Sequence, residues 1–346
     1  MSGTPFTTAA QATPPFYVGV DLGGTNIKVG VVDDLGRTLH HFSIPTETER
    51  GPDDGARRMA EAVHRVIEEA GLKKEDVVRV GLGSPGTMDV PAGMLLRPHN
   101  LPGWFNYPIR DRVAEFSGFP VTFANDANAA AYGEYWVGRG RDFHSMVLVT
   151  LGTGIGCGVI IGDLMIEGEN SHGAEGGHVV IDLSENARIC PCGKKGHLEG
   201  YASATAVIHR TREALASNPD TSVRARLEAG EELTPLLLHE EAHRGDAFSE
   251  HIIMETARYL GVGVVTMLHM IDPTGVVLGG AMTFGGADDP LGQRFLQRVI
   301  QEVKERAFPV VAERAMIDFA HLGGDAGYIG AAGLARQAAR KAAQQG

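Results

Sequence analysis

The sequence predicts a two-lobed α/β protein, and three observations carry that prediction. The chain has 346 residues, more than one compact core usually serves. Short β-prone runs alternate with helical stretches along most of its length. Two similar glycine-centred hairpin patterns head its two halves. The composition is that of a globular protein, with 43% hydrophobic and 21% charged residues. No apolar run approaches the roughly 18 residues of a membrane span. A net charge of -12 speaks against binding to a nucleic-acid backbone, which needs a basic surface. Three cysteines cannot build a disulfide framework, so the expected location is the reducing cytoplasm.

Residues 1–16 are polar, contain prolines and lack basic side chains, and so read as a disordered tail rather than a signal peptide. The first hairpin, "VGVDLGGTNIKVGVV" from Val18, has glycines where the turn needs positive φ. "GARRMAEAVHRVIEEAGL" is an amphipathic helix with Ala62, Val63, Val66 and Ile67 on one face, ended by Gly71. "VVRVGLGSPG" reads as a buried strand entering a turn. "FPVTFANDANAAAYGEY" gives a strand over Val121 to Ala124, a polar break at Asn125–Asp126 and an Ala-rich helix. The second hairpin, "VLVTLGTGIGCGVII" from Val147, repeats the pattern of the first. Residues 214–247 are polar and mixed, as surface helices and loops are. "TARYLGVGVVTMLHMIDP" is a long apolar helix stopped before Pro273. "GVVLGGAM" is a strand feeding a Gly-Gly turn, and "DAGYIGAAGLARQAARKAAQQG" a closing helix. A small lobe is expected over 17–124 and a large lobe over 125–346, with the closing helix packed back on the small lobe.

Several of these positions carry chemistry. Backbone N–H groups in glycine turns form concave anion sites, to which Thr25 and Thr153 add hydroxyl donors and Lys28 a cation. Asp126, where a strand ends, stands where open α/β sheets put catalytic groups; by position alone it reads equally as a helix cap. In "GGHVVIDLSENARICPCGKKGHLEG", Gly176 to Gly200, Cys190 and Cys192 lie between His178 and His197. That set reads as a metal clamp, a redox pair or a plain loop. Cys-x-Cys argues against the redox pair, which is more often Cys-x-x-Cys. Cys157, inside a returning strand, reads as a small core residue.

In order along the chain, "DLGGTNIK", "FANDANAAAYGE", "TLGTGIG", "GAEGGH", "CPCGKKGHLEGYAS" and "DPTGVVLGGAM" resemble the signatures of ROK-family sugar kinases, within the actin-like ATPase superfamily. The resemblance runs from about Val18 to the C-terminal helix. It implies a duplicated, ribonuclease-H-like fold with a cleft between two lobes. It also implies phosphoryl transfer from ATP, with Mg²⁺, to a hexose, usually by a homodimer. Glucose is the commonest acceptor of such kinases, giving glucose 6-phosphate; fructose, mannose, N-acetylmannosamine and N-acetylglucosamine are the alternatives.

Residue by residue, the resemblance makes Asp126 the base for the sugar hydroxyl. It places Asp21 on Mg²⁺ or its waters. The phosphates fall to Gly23, Gly24 and Thr25 and to Gly152, Thr153 and Gly154, with Lys28 nearby, although Lys28 reads nearly as well as a solvated strand lysine. Gly279 and Gly280 let the adenosine lie against backbone. The sugar falls to Gly86, Asn100, Asn125, Glu175, His178 and Glu199, whose amides and carboxylates suit a neutral polyol. His178, Cys190, Cys192 and His197 fall where the family places structural zinc, within a loop over 178–197. His197 departs from the pattern, since the usual residue there is a third cysteine. Cys₂His₂ is nevertheless an accepted zinc set, formally neutral instead of anionic. Relatives of this pattern include sugar-responsive repressors, which need a DNA-binding domain. Only about 17 mostly polar residues precede the first strand, so an enzyme is the expectation.

Overall fold

The structure is a computed structural model, described here for residues 6–98, 100–217 and 219–345. The chain divides into two units, one of residues 1–142, 158–174 and 321–346 and one of 143–157 and 175–320. In chain order the first half holds β1 (Phe16–Leu22), β2 (Asn26–Val32), β3 (Thr38–Pro45), α1 (Pro52–Glu69), β4 (Val77–Ser84), β5 (Thr87–Asp89), β6 (Met94–Arg97), α2 (Ile109–Ser117), β7 (Val121–Asn125) and α3 (Asp126–Trp136). There follow β8 (Ser145–Leu151), β9 (Ile155–Ile161), β10 (Leu164–Met165), α4 (Glu199–Ala202), α5 (Ala204–Leu215), α6 (Val223–Glu228), α7 (Pro235–His243) and α8 (Ala247–Ile271). The chain ends with β11 (Gly275–Gly279), α9 (Pro290–Arg306), α10 (Pro309–Arg314), β12 (Met316–Phe319) and α11 (Ala326–Gln345).

One sheet has the order β3-β2-β1-β4-β7, antiparallel from β3 to β1 and parallel from β1 to β7. A second has the order β10-β9-β8-β11-β12, with β8, β11 and β12 parallel. The same plan therefore occurs twice: a hairpin is lengthened on one side and two parallel strands are added on the other. This is the duplication expected from the two glycine hairpins.

In the first unit the alternation along β1 assigns its two faces. Val18, Val20 and Leu22 join Met59, Val63 and Val66 of α1 in one core. Tyr17 joins Tyr328, Ile329, Ala332 and Ala335 of α11 in another. Gly19 and Asp21 continue the Tyr17 face. A Cβ at Gly19 would lie 1.8 Å from the Tyr328 carbonyl oxygen, and one at Gly81 would lie 1.8 Å from that of Ala331. The absent side chains let the backbone of α11 rest on the sheet. Residues 214–247 differ from the expected surface segment, because α7 buries Leu237, Leu238, Glu241 and Ala242. No helix among the described residues is long and apolar enough to cross a membrane.

Candidate active site

The first unit gathers its polar residues at the carboxyl ends of three neighbouring parallel strands, where open α/β sheets bind ligands. Asp21 is the penultimate residue of β1, and Asn125 and Asp126 stand at the β7–α3 junction. In register, Asp21 pairs with Gly83 of β4, and Gly83 with Ala124 of β7. Gly83 is the spacer between them. A Cβ there would meet Ala129 at 3.2 Å and the Asp126 Cα at 3.7 Å. The Asp21 side chain is half-buried, and a Cβ at Gly327, at the start of α11, would strike its carboxylate at 2.2 Å. Burial first, and the Asp126 charge second, push Asp21 up to about 6, against the lowering effect of Lys28.

Asn125 is the N-cap of α3: its Oδ1 accepts the N–H groups of Ala127 at 2.9 Å and Asn128 at 3.2 Å. Asp126 is the first helical residue, and its Oδ1 accepts the Ala127 N–H at 2.8 Å. Capping therefore falls to Asn125, although position alone made Asp126 an equal candidate.

The Gly23–Gly24–Thr25 turn is open and well anchored. Gly23 donates to the Asn26 carbonyl at 2.9 Å. Thr46 donates its hydroxyl to Gly23 O at 2.6 Å and its N–H to Thr25 O at 2.8 Å. Nothing in the local sequence marks Thr46, which reaches the turn only because β3 pairs with β2. Asn100 is exposed beside this turn, since a Cβ at Gly24 would lie 2.8 Å from the Asn100 carbonyl oxygen. Gly86, at a φ of 94°, packs against Pro98, two residues before Asn100. Lys28 points its Nζ to Gly324 O at 2.5 Å and Asp325 Oδ1 at 3.2 Å, fixing the start of α11.

The second unit repeats the arrangement. Gly152, Thr153 and Gly154 follow β8, and Gly279 and Gly280 end its parallel neighbour β11. Gly280, with φ 90°, leaves no room for a Cβ, which would sit 2.3 Å from Leu151 O. The first turn is tied to the start of α5, where Ala204 N–H donates to Gly152 O and the Thr205 hydroxyl to Thr153 O, each at 2.9 Å. Glu199, the first residue of α4, accepts the Ile155 N–H through Oε2 at 2.8 Å. A Cβ at Gly154 would strike that oxygen. Cys157 is buried against Gly176, and burial pushes its thiol up to about 12, as befits a core residue.

The loop between Glu175 and Glu199 is folded by short backbone pairings. Val180 bridges His197, and Ile189 bridges Lys195. Cys190 closes a turn on Lys194 at 2.8 Å. Glycines with positive φ stand at 193 and 196, where the chain reverses. This brings single donor atoms of His178, Cys190, Cys192 and His197 within 4.8 Å of one another. Cys190 Sγ lies 3.7 Å from His178 Nδ1, and Cys192 Sγ lies 3.2 Å from His197 Nδ1. Tetrahedral zinc bound by sulfur and nitrogen has S···N edges of about 3.5 Å, so the set fits. Burial lowers the His197 pKa, ahead of the His178 charge, and so favours the neutral ring that a metal takes. Burial also pushes the Cys190 thiol up to about 12, and a cation beside it would reverse that shift. His178 keeps Nε2 on the other side, 3.8 Å from Glu175 Oε2, while Glu175 itself is exposed.

Comparison with known proteins matches residues 17–338 to the model of the ROK family. A glucokinase of Thermotoga maritima is 34% identical over 322 residues, covering 92% of this chain and 97% of that one. The crystal structure of a ROK hexokinase from Thermus thermophilus superposes with a TM-score of 0.78 at 32% identity, over 94% of this chain and 99% of that one. A ROK-family glucokinase from Streptomyces griseus, in complex with glucose and AMPPNP, gives a TM-score of 0.76 at 32% identity, over 93% and 99% of the two chains.

Proposed function

The chain belongs to the ROK family, and from that premise we propose that it is a glucokinase, transferring the γ-phosphoryl group of ATP to the 6-hydroxyl of glucose. The observation that carries the reading is the placing of Asp21 and Asp126, electrostatically coupled across Gly83, at the carboxyl edge of β1, β4 and β7 beside an open glycine turn. It is supported by likeness over nearly the whole chain to a kinase that holds glucose and an ATP analogue.

Phosphoryl transfer asks a protein for positioning, charge neutralisation and a base. Asp126 accepts the proton of the attacking hydroxyl as the bond to phosphorus forms and ADP departs. Asp21 is the carboxylate that would hold Mg²⁺ or its waters. Mg²⁺, when bound, would supply positive charge beside the transferring group, and the strained ionisation of Asp21 suits an oxygen ligand for it. Gly23, Gly24 and Thr25 in one unit, and Gly152, Thr153 and Gly154 in the other, offer N–H and hydroxyl donors to phosphate oxygens. Lys28 acts on this charge balance from its place beside Asp21, while Gly279 and Gly280 admit the adenosine. Gly86, Asn100 and Asn125, with Glu175, His178 and Glu199, bind the sugar. His178, Cys190, Cys192 and His197 would hold a structural zinc, which would keep Glu175, His178 and Glu199 in position. The active species is a cytoplasmic homodimer.

The test is an ADP-release assay across a hexose panel. Glucose should exceed fructose, mannose, N-acetylmannosamine and N-acetylglucosamine in kcat/KM. A tenfold advantage for fructose or N-acetylmannosamine would overturn the assignment.

A further inference from the structure

The second unit holds another convergence of ligand atoms, made by none of the residues assigned above. His239 and His243 stand four apart on α7, so they share one helix face. Asp289 is the N-cap of α9. Its Oδ1 caps the helix, accepting from Leu291 N–H at 2.7 Å and Gly292 N–H at 3.4 Å. Its Oδ2 turns the other way, 3.1 Å from His239 Nε2 and 2.9 Å from His243 Nε2. The two ring nitrogens are themselves 3.1 Å apart. The three atoms form a closed, nearly equilateral triangle.

Protons cannot satisfy that triangle. A ring nitrogen bearing hydrogen only donates, and one without hydrogen only accepts. If both carry hydrogen, two N–H groups confront each other across the N···N edge. If one does, the lone pair of the other faces the carboxylate oxygen. If neither does, three lone pairs converge. Each arrangement of an ionised aspartate leaves at least one edge repulsive, whereas a single cation near the centre satisfies all three.

The dimensions agree with a metal. Three donors at about 2.1 Å and mutual right angles have edges of about 3.0 Å, and tetrahedral donors at that distance have edges of about 3.4 Å. Two imidazoles and one carboxylate on a face, with the remaining positions open to water, suit a borderline divalent ion. Access is available, since His243 is exposed and the other two residues are half-buried. Asp289 is held in place from behind: a Cβ at Gly285 would lie 2.2 Å from the Asp289 Cβ, so the backbone is folded closely on it.

We propose that His239, His243 and Asp289 form a second divalent metal site, distinct from the Cys/His cluster, that takes Zn²⁺ or a related borderline ion and braces α7 against the start of α9. The test uses full-length protein stripped with chelator and dialysed against Zn²⁺ alone, with bound metal counted per chain. Wild type should retain one equivalent more than His239→Gln/His243→Gln, and Cys190→Ser/Cys192→Ser should keep that equivalent. Asp289→Asn preserves an oxygen for the helix cap and removes the carboxylate, so it should weaken binding more than about tenfold, at least the cost of losing an outer-sphere partner. Since the double variant also alters packing, the single exposed change His243→Gln serves as a second reading, with the same weakening expected. With Co²⁺ in Cys190→Ser/Cys192→Ser, d–d absorption without sulfur charge-transfer bands should appear. Equal metal content and affinity in wild type, His243→Gln and the double variant would overturn the site, as would loss of the extra equivalent with the cysteines.

Discussion

Glu199 holds the backbone N–H of Ile155 through Oε2 at 2.8 Å, while its Oε1 receives the Cys190 thiol at 3.3 Å. One carboxylate thus joins the returning arm of the second glycine hairpin to the cysteine loop. The family resemblance makes Glu199 a sugar ligand. The structure adds a second duty, and leaves room for the first, because a carboxylate has about four acceptor positions and these two bonds use only some of them.

Glu199→Ala should therefore do more than remove a sugar contact. It leaves the buried Ile155 N–H unpaired, at a cost of about 1–3 kcal/mol. We expect a lower melting temperature together with a glucose KM raised more than tenfold. Glu199→Gln keeps an oxygen for Ile155 and should recover most of the stability but not the affinity. If both variants melt like wild type, the link between the two segments carries no weight.

Asp126→Asn tests the base. Asn125 supplies the cap of α3, so the helix should survive the change. Turnover should fall by roughly 10²–10⁴-fold, the usual worth of a general base, with glucose binding retained. Near wild-type turnover would leave Asp126 without a catalytic role.

Much of this was legible in the sequence because glycine and polar residues mark turns locally. The two hairpins, the strand before Asn125 and the helix ending near Gly71 all announce themselves within a few residues. The helix over Pro290–Arg306 was equally legible in principle: Asp289–Pro290 is a start signal, and Leu291, Phe295, Val299 and Val303 recur every four residues. What could not be read was long-range register. Gly83 matters because β4 lies between β1 and β7, and Gly327 because α11 returns from the far end of the chain to Asp21. Neither has a local signature.

Asp21 makes a pH-dependent prediction. Its pKa in the folded protein is raised from an ordinary value of 3.8 to about 6. A raised carboxyl favours the folded state while protonated, so its contribution is complete below about pH 4 and is lost as pH rises through about 6. A shift of about two units is at most about 3 kcal/mol. Asp21→Asn should melt close to wild type at pH 4 and progressively above it towards pH 8, while kinase activity disappears. A melting difference that does not grow between pH 4 and 7 would show that Asp21 carries no strained charge.

His197 decides whether the cysteine loop is a metal clamp. The loop is paired by turns and isolated bridges rather than by a sheet, so an ion held by four side chains should contribute much of its stability. Purified protein should carry one zinc attributable to this cluster, lost in Cys190→Ser/Cys192→Ser. His197→Ala should weaken it, and His197→Cys should retain it, because sulfur at that position completes an accepted Cys₃His set. Since Glu175, His178 and Glu199 border this loop, loss of the ion should raise the glucose KM more than that of ATP. The residues assigned to ATP stand on the two glycine turns, at Asp21 and after β11, on other segments of the chain. Unchanged zinc content and glucose KM in both His197→Ala and the double cysteine variant would reduce the cluster to a loop whose ligand-like spacing holds nothing.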